Sequence, residues 1–381
     1  MKFIHIGDCH LGGWRLPELQ SLNFQHFQHV IEKAIKEKVD FMLIAGDLFD
    51  SAYPPIEIIK EAFSEFRKLK DAEIPVFLIA GSHDCSASGK TFLDVLEKAG
   101  FARNVHKTKE INGKIILLPT FHRDVAIYGY PGKKSSMEVP EIERMEIEDA
   151  PGFFKILMLH TALRDAVGTL PIPAVNQDKL PKVDYTALAH LHIKYNKNNR
   201  VYCGPTFPNN STELSELKVG SYCFFNNGRI ERREIKLKET LTLEIEITNA
   251  FIGAEKIINE LKNQNLKDKI IILYLNGTLE TGSPSDINFI KVQNYVKEQG
   301  AYVLLRNTAK LQSQKKEITL ELKSENMEEE IISKYQTQNP SKFNALIPQL
   351  ISVLQMEKKE EERAQIFEER LLSETKNILK A

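Results

Sequence analysis

Phe41-Met42-Leu43-Ile44-Ala45-Gly46-Asp47-Leu48-Phe49-Asp50 is the stretch that decides the fold. Its opening apolar run is too short for a buried helix and suits a buried strand, and the glycine that follows lets the chain turn sharply onto an acid. Four other segments repeat the pattern. Ile4-His5-Ile6 runs into Gly7-Asp8-Cys9-His10, and Val76-Phe77-Leu78-Ile79-Ala80 runs into Gly81-Ser82-His83-Asp84. Ile156-Leu157-Met158-Leu159 ends on His160, and Ala187-Leu188-Ala189 ends on His190-Leu191-His192. Short β-prone runs alternating with helical segments make a buried sheet, and such folds place their chemistry on loops at strand ends. The order therefore gathers carboxylates and imidazoles into one cleft. That donor set needs no thiolate and suits a two-metal site for manganese, iron or zinc.

The chain has 381 residues, enough for two or three domains. No apolar run approaches the roughly 20 residues that span a bilayer, and the amino terminus reads straight into a strand without a signal-peptide pattern. The expectation is a soluble, cytoplasmic protein with no membrane partner. Cys9, Cys85, Cys203 and Cys223 are scattered without zinc spacing, which favours reduced thiols. A net charge of −1 excludes a uniformly basic nucleic-acid binder but permits a local basic patch.

Between the first two metal-type runs, Phe24, Phe27, Ile31, Ala34 and Ile35 recur at helical spacing. A second helix opens at Pro54-Pro55 with a stripe of Ile56, Ile59, Phe63, Phe66 and Leu69, and a third spans Lys90 to Ala99 with Gly100 as its cap. Val201 to Cys203, Tyr222 to Phe225 and Arg229 to Lys236 read as strands, the last two joined by the hairpin signal Asn226-Asn227-Gly228. A first domain thus covers 1–238. A small α/β module follows over 239–324: strands at Thr240 to Ile247, Lys269 to Leu275 and Tyr302 to Arg306, with helices at Ala254 to Asn263 and Ile287 to Glu298. It has no histidine, so it reads as a capping domain that shapes the substrate site. Residues 325–381 turn charged and helical, with apolar stripes at Phe343, Leu346, Ile347, Leu350, Val353, Leu354 and then Phe367, Leu371, Leu372, Ile378, Leu379. Amphipathic helices beyond the last domain suit docking onto a partner.

Gly7-Asp8-Cys9-His10, Gly46-Asp47-Leu48-Phe49-Asp50, Gly81-Ser82-His83-Asp84, His160-Thr161 and Ala189-His190-Leu191-His192 together resemble the calcineurin-like metallophosphoesterase signature. More narrowly they are similar to the SbcD-type nuclease subunits of DNA double-strand-break repair, strongly through residue 238 and by architecture alone beyond it. The resemblance implies an α/β fold: a metallophosphoesterase β-sandwich flanked by helices, a small α/β capping domain that binds DNA, and carboxyl-terminal helices that dock an ATPase. It also implies a ligand set. Asp8, His10 and His192 would hold one metal, His160 and His190 the other, and Asp47 would bridge them. His83 would be the acid that assists the leaving 3′ oxygen, with Asp84 either orienting it or serving as a turn residue. Ser82 stands where the family usually has a ligating Asn, so it would be a shorter and weaker ligand of the second metal. Ala189 stands where Gly is usual.

Lys194, Lys197 and Arg200, and a second cluster at Arg229, Arg232 and Arg233, are the candidate phosphate contacts, against a plain reading as solvated surface. The function so implied is a manganese-dependent, two-metal DNA nuclease, a 3′–5′ exonuclease and single-strand endonuclease. It would act on DNA ends as a homodimer with a coiled-coil ABC-type ATPase, and would join the nucleoid when on DNA. Two alternatives stand beside it: a phosphodiesterase for a small phosphoester, which needs neither cap nor docking helix, and a DNA- and ATPase-binding scaffold with weak catalysis, which Ser82 keeps open.

Overall fold

The computed structural model describes residues 1–86, 89, 91–314, 332–333, 335–337, 341, 343–358 and 364–380. The chain forms two compact units, Met1–Ser313 and Gln314–Ala381. In the first, the short apolar runs pair as the sequence reading expects. Lys2–Ile6, Phe41–Ile44, Val76–Leu78 and Arg103–Asn104 lie side by side in parallel, because each is returned to the same edge by a helical or looped crossover. Gly220–Asn226 and Arg229–Ile235 complete this six-stranded sheet on the other flank, antiparallel. Their turn is the expected one: Asn227 and Gly228 both take positive φ, as a two-residue hairpin requires.

A second six-stranded sheet has the order Tyr195–Lys197, Arg200–Tyr202, Tyr185–Ala189, Phe154–His160, Val125–Tyr130, Thr120–His122. The two sheets close face to face over Phe3, Phe41, Phe77, Ile127, Met158, Tyr185 and Phe225. This is why their strands are apolar on successive residues: each faces the other sheet on one side and helices or loops on the other. Helices Pro17–Glu37, Ile56–Asp71 and Leu93–Lys98 cover the outer face of the first sheet. The fold is thus an α/β sandwich of the expected class.

Details differ from the sequence reading for local reasons. The second helix starts at Ile56, after Pro55, and buries Ile58, Ala62, Phe66 and Leu69, leaving Ile56 exposed. The third runs only Leu93–Lys98, with Gly100 in positive φ beyond it, and Lys90 lies outside the described residues. Val125–Tyr130, all buried, and the small sheet of Thr108–Ile111, Lys114–Leu117 and Met145–Ile147 were not foreseen. The four cysteines are free thiols.

Three residues after Arg229–Ile235 a separate parallel sheet begins, Glu239–Glu246, Lys269–Leu279 and Val303–Ser313, carrying helices Ala250–Lys262 and Phe289–Glu298. Its first helix starts earlier than expected because Asn249 caps it, accepting the amide of Phe251. The module has its own core, yet Ile270 and Ile272 pack against Leu19, Leu22, Phe207 and Leu214 of the sandwich, and Tyr302 Oη donates to Glu18 O at 2.7 Å. The expected limit at residue 324 lies outside the described residues. In the second unit, Ile347–Leu354 and Ala364–Lys380 are helical. Among the described residues no helix is long and apolar enough to cross a membrane.

Candidate metal centre

The parallel strands all end on one edge, and the turns leaving them hold one another. Asp8 N donates to Gly46 O, and Cys9 N and His10 N both donate to Asp47 O. Such close backbone approach requires glycines: a Cβ on Gly46 would lie 2.5 Å from His160 Nδ1, and one on Gly81 would lie 2.1 Å from Asp47 Oδ1. Ala189 plays the reciprocal part, its methyl 2.4 Å from where a Cβ on Gly7 would stand. Asp8, His10, Asp47 and His190 all have positive φ, a conformation that L side chains adopt at a cost of about 1–3 kcal/mol each and that clusters at functional sites.

Within this frame three imidazoles point one way. His10 bonds Asp50 Oδ1 through Nδ1 at 3.1 Å, His192 bonds Glu213 Oε2 through Nδ1 at 3.0 Å, and His160 bonds Ala45 O through Nδ1 at 3.0 Å. With each Nδ1 engaged outward, each Nε2 is left for the centre. His10 Nε2 lies 3.3 Å from His192 Nε2 and 3.8 Å from Asp47 Oδ2, and His192 Nε2 lies 3.9 Å from Asp8 Oδ1. His160 Nε2 is 3.1 Å from Asp47 Oδ2 but is buried without a hydrogen bond of its own. An imidazole fixed from behind by an oxygen while its other nitrogen is bare is the arrangement of a metal ligand. Besides the group His10, Asp50 and His83, two clusters result: Asp8, His10 and His192, and Asp8, Asp47 and His160, with the donor atoms of each within 4.8 Å of one another. They share Asp8 and abut at Asp47, so the donor set fits two divalent cations.

The charges agree with that reading. Burial opposes ionisation of Asp47, but His160 and His10 hold its carboxyl well below the usual range. Burial likewise disfavours the charged form of His160 and His192. Asp47 outweighs it at His160, raising the ring to about 10, and Asp8 with Glu213 outweighs it at His192, raising the ring to about 9. His190 goes the other way, down to about 4, through burial and the neighbouring His160. The buried carboxylates thus favour positive charge where cations would sit. Cys9 does not compete: burial pushes its thiol up, and Sγ turns toward Gly7 O.

The structure places the remaining expected residues less uniformly. His190 gives its backbone amide to Asp8 at 2.9 Å and sets its ring 5.1 Å from that of His160, beside both clusters but in neither. Ser82 Oγ donates to Asp47 Oδ2 at 3.4 Å, at the edge of the second cluster. His83 gives its amide to Asp47 Oδ1 at 2.8 Å, while its half-exposed ring faces a cleft of about 620 Å³.

One open alternative is decided, and one expectation is corrected. Asp84 does not orient His83: its buried carboxylate accepts the amides of Gly81, Leu48 and Phe49, which ties two ligand loops together. Burial and Asp47 push that carboxyl up to about 6. It is Asp50 that holds the His83 ring, with Nδ1 3.1 Å from its carbonyl. Nor is Arg200 offered to phosphate, since it is largely buried and paired with Asp165 at 2.9 Å. Lys194 pairs with Glu234 and Lys197 approaches Asp165; Arg229 and Arg233 face Glu231, and Arg232 bonds the carbonyl of Tyr202. The cations that line the cleft are Lys133 and Lys134. Sequence reasoning also missed Glu213. Its one signal was the capping pattern Asn210-Ser211-Thr212-Glu213, which the structure bears out at the start of Ser211–Leu217.

The sequence profile of calcineurin-like phosphoesterases matches residues 1–194. Among curated proteins, the chain is similar to the DNA double-strand break repair protein Mre11 of Methanosarcina mazei, 27% identical over 80% of this chain and 49% of that one. The Mre11 of Methanocaldococcus jannaschii is 26% identical over 71% of this chain and 81% of that one. The metallophosphoesterase YhaO of Bacillus subtilis is 31% identical over 50% and 48%. The chain spans about half the length of the Methanosarcina relatives that it matches.

Two outcomes follow for metal binding. Because His160 and His192 keep protons to about 10 and about 9 in the metal-free protein, cations must displace them. Manganese affinity therefore rises as pH is raised from about 6 toward about 9, and calorimetric titration with an unchanged affinity over that range would contradict the ligand assignment. Replacing Ser82 by Asn puts a carbonyl oxygen beside Asp47 and shifts the occupation of the weaker site to lower manganese. Identical titration curves for the natural and Ser82→Asn proteins would show that Ser82 costs nothing.

Proposed function

Since the chain belongs to the calcineurin-like phosphoesterase family, we propose that it is a two-metal DNA nuclease of the SbcD and Mre11 type, a 3′–5′ exonuclease and single-strand endonuclease using manganese. The observation that carries the reading is the set of inward Nε2 atoms of His10, His160 and His192 around Asp8 and Asp47, with His83 beside them on the cleft wall. Two divalent cations held there would polarise the phosphoryl group and supply a nucleophilic water at neutral pH. Carboxylate and imidazole donors suit manganese.

The chain's own residues do the rest. Asp47 is kept ionised and immobile by the amide of His83 and the ring of His160. Asp50 links ligand and acid: its carboxylate bonds His10 and its carbonyl fixes His83 Nδ1, which leaves His83 Nε2 for the leaving oxygen. Glu213 holds His192. Lys134 gives the cleft positive charge toward a phosphodiester backbone, Lys133 beside it being paired with Glu141. The names of the relatives favour DNA over a small phosphoester as the substrate.

The second unit supports a partner. Leu354, Ile366, Leu372 and Leu379 on its helices, and Phe343 just before them, are large apolar side chains left exposed, as expected of a segment that docks a coiled-coil ABC-type ATPase. Homodimer formation belongs to the same reading and rests on the family resemblance.

His83→Ala keeps both metals and lowers turnover of a single-stranded oligonucleotide by about 10²–10⁴-fold, the usual contribution of a general acid. Unchanged turnover at normal metal content would remove His83 from the chemistry. Deleting 341–381 ends co-purification with the ATPase while manganese-dependent hydrolysis of single strands persists; full co-purification of the truncated chain would place the docking surface elsewhere.

A further inference from the structure

One wall of the cleft carries an aromatic side chain that packing does not explain. Tyr53 is 68% exposed, while Ala52 and Pro54 on either side are buried. The ring therefore stands out from a segment pinned at both ends. Two prolines in succession fix the backbone beyond it, and its own amide is held by Ser51 Oγ at 3.3 Å. No other ring packs on Tyr53 among the described residues. Among the cleft's other lining residues, Lys133 is neutralised by Glu141 and lies over the ring of Tyr130. Lys134 is exposed and has no carboxylate partner among the described residues. His83 and His190 line the same cleft.

We propose that Tyr53 and Lys134 form a nucleotide subsite, in which the Tyr53 ring stacks on a base next to the scissile phosphodiester and Lys134 pairs with a neighbouring phosphate. The proposal rests on the nuclease reading above and deepens it by naming what holds the strand: a subsite for a nucleotide whose base is free to leave its stack, in a single strand or a frayed end. A base has a π face whatever its identity, so a tyrosine platform selects unstacked bases without reading sequence. A lone ammonium contributes affinity that salt screens. Neither residue touches the ligand cluster, so the subsite acts on where the strand lies and not on metal binding.

The test uses the full manganese-loaded chain and two single-stranded oligonucleotides of equal length, one with all bases and one abasic. Natural protein prefers the base-bearing strand in kcat/KM. Tyr53→Ala lowers that preference by about 10-fold and Tyr53→Phe retains it, because the ring and not the hydroxyl is at work. Lys134→Ala raises KM on both strands alike and reduces the salt dependence of KM by about one ion. A Tyr53→Ala protein that keeps the full preference, or a Tyr53→Phe protein that loses it, overturns the subsite while leaving the nuclease reading in place. Failure of the natural protein to cut either strand overturns the nuclease reading itself.

Discussion

The structure turns on one buried carboxylate. Asp47 is almost wholly enclosed, and burying an ionised acid is costly unless every oxygen is answered. Oδ1 takes the amide of His83, while Oδ2 faces His160, Ser82 and His10. A hydrogen bond to a charged group contributes about 1.5–3 kcal/mol, so the amide alone does not offset burial, and the positive charge of the surrounding site must supply the rest. The backbone is built around this need. Gly46 and Gly81 admit the turn that carries Asp47 because a side chain at either would strike His160 or Asp47. The loop of Asp8, Cys9 and His10 hangs from the carbonyls of Gly46 and Asp47.

A second ring of acids makes the first one precise. Asp50, Glu213 and Asp84 do not crowd the centre; they bind what does. Asp50 and Glu213 each fix a histidine by its far nitrogen, and Asp84 ties the turn after Phe41–Ile44 to the turn after Val76–Leu78. Supporting groups of this kind set imidazole orientation before a cation arrives, which reduces the entropy lost on binding. The strain of four positive-φ residues is then sustained by the sheets behind them, whose paired strands hold the turns at fixed separation.

Much of this was legible in the sequence because apolar runs ending in Gly-Asp or in histidine are local signals. Asp8, His10, Asp47, His160 and His192 could be brought together from strand order alone. The hairpin at Asn227-Gly228 and the alternation of strands and helices after residue 238 were legible for the same reason, each being a short-range pattern. Asp50, Glu213 and the true task of Asp84 were not, because they depend on which atom of a distant residue a carboxylate meets. Arg200 misled for a similar reason: a basic residue near the last ligands looks available until Asp165, far away in sequence, is found beside it. The exposed Ile56 shows the limit of periodicity, since a first helical turn can carry an apolar residue that the fold never covers.

The central claim is that Asp47 joins two cation sites and that hydrolysis requires both. Metal analysis of purified Asp47→Ala protein after manganese loading, alongside its rate on a single-stranded oligonucleotide, tests this most directly. Loss of bound metal together with loss of hydrolysis is the predicted result. Two retained equivalents of manganese with undiminished hydrolysis would contradict the account.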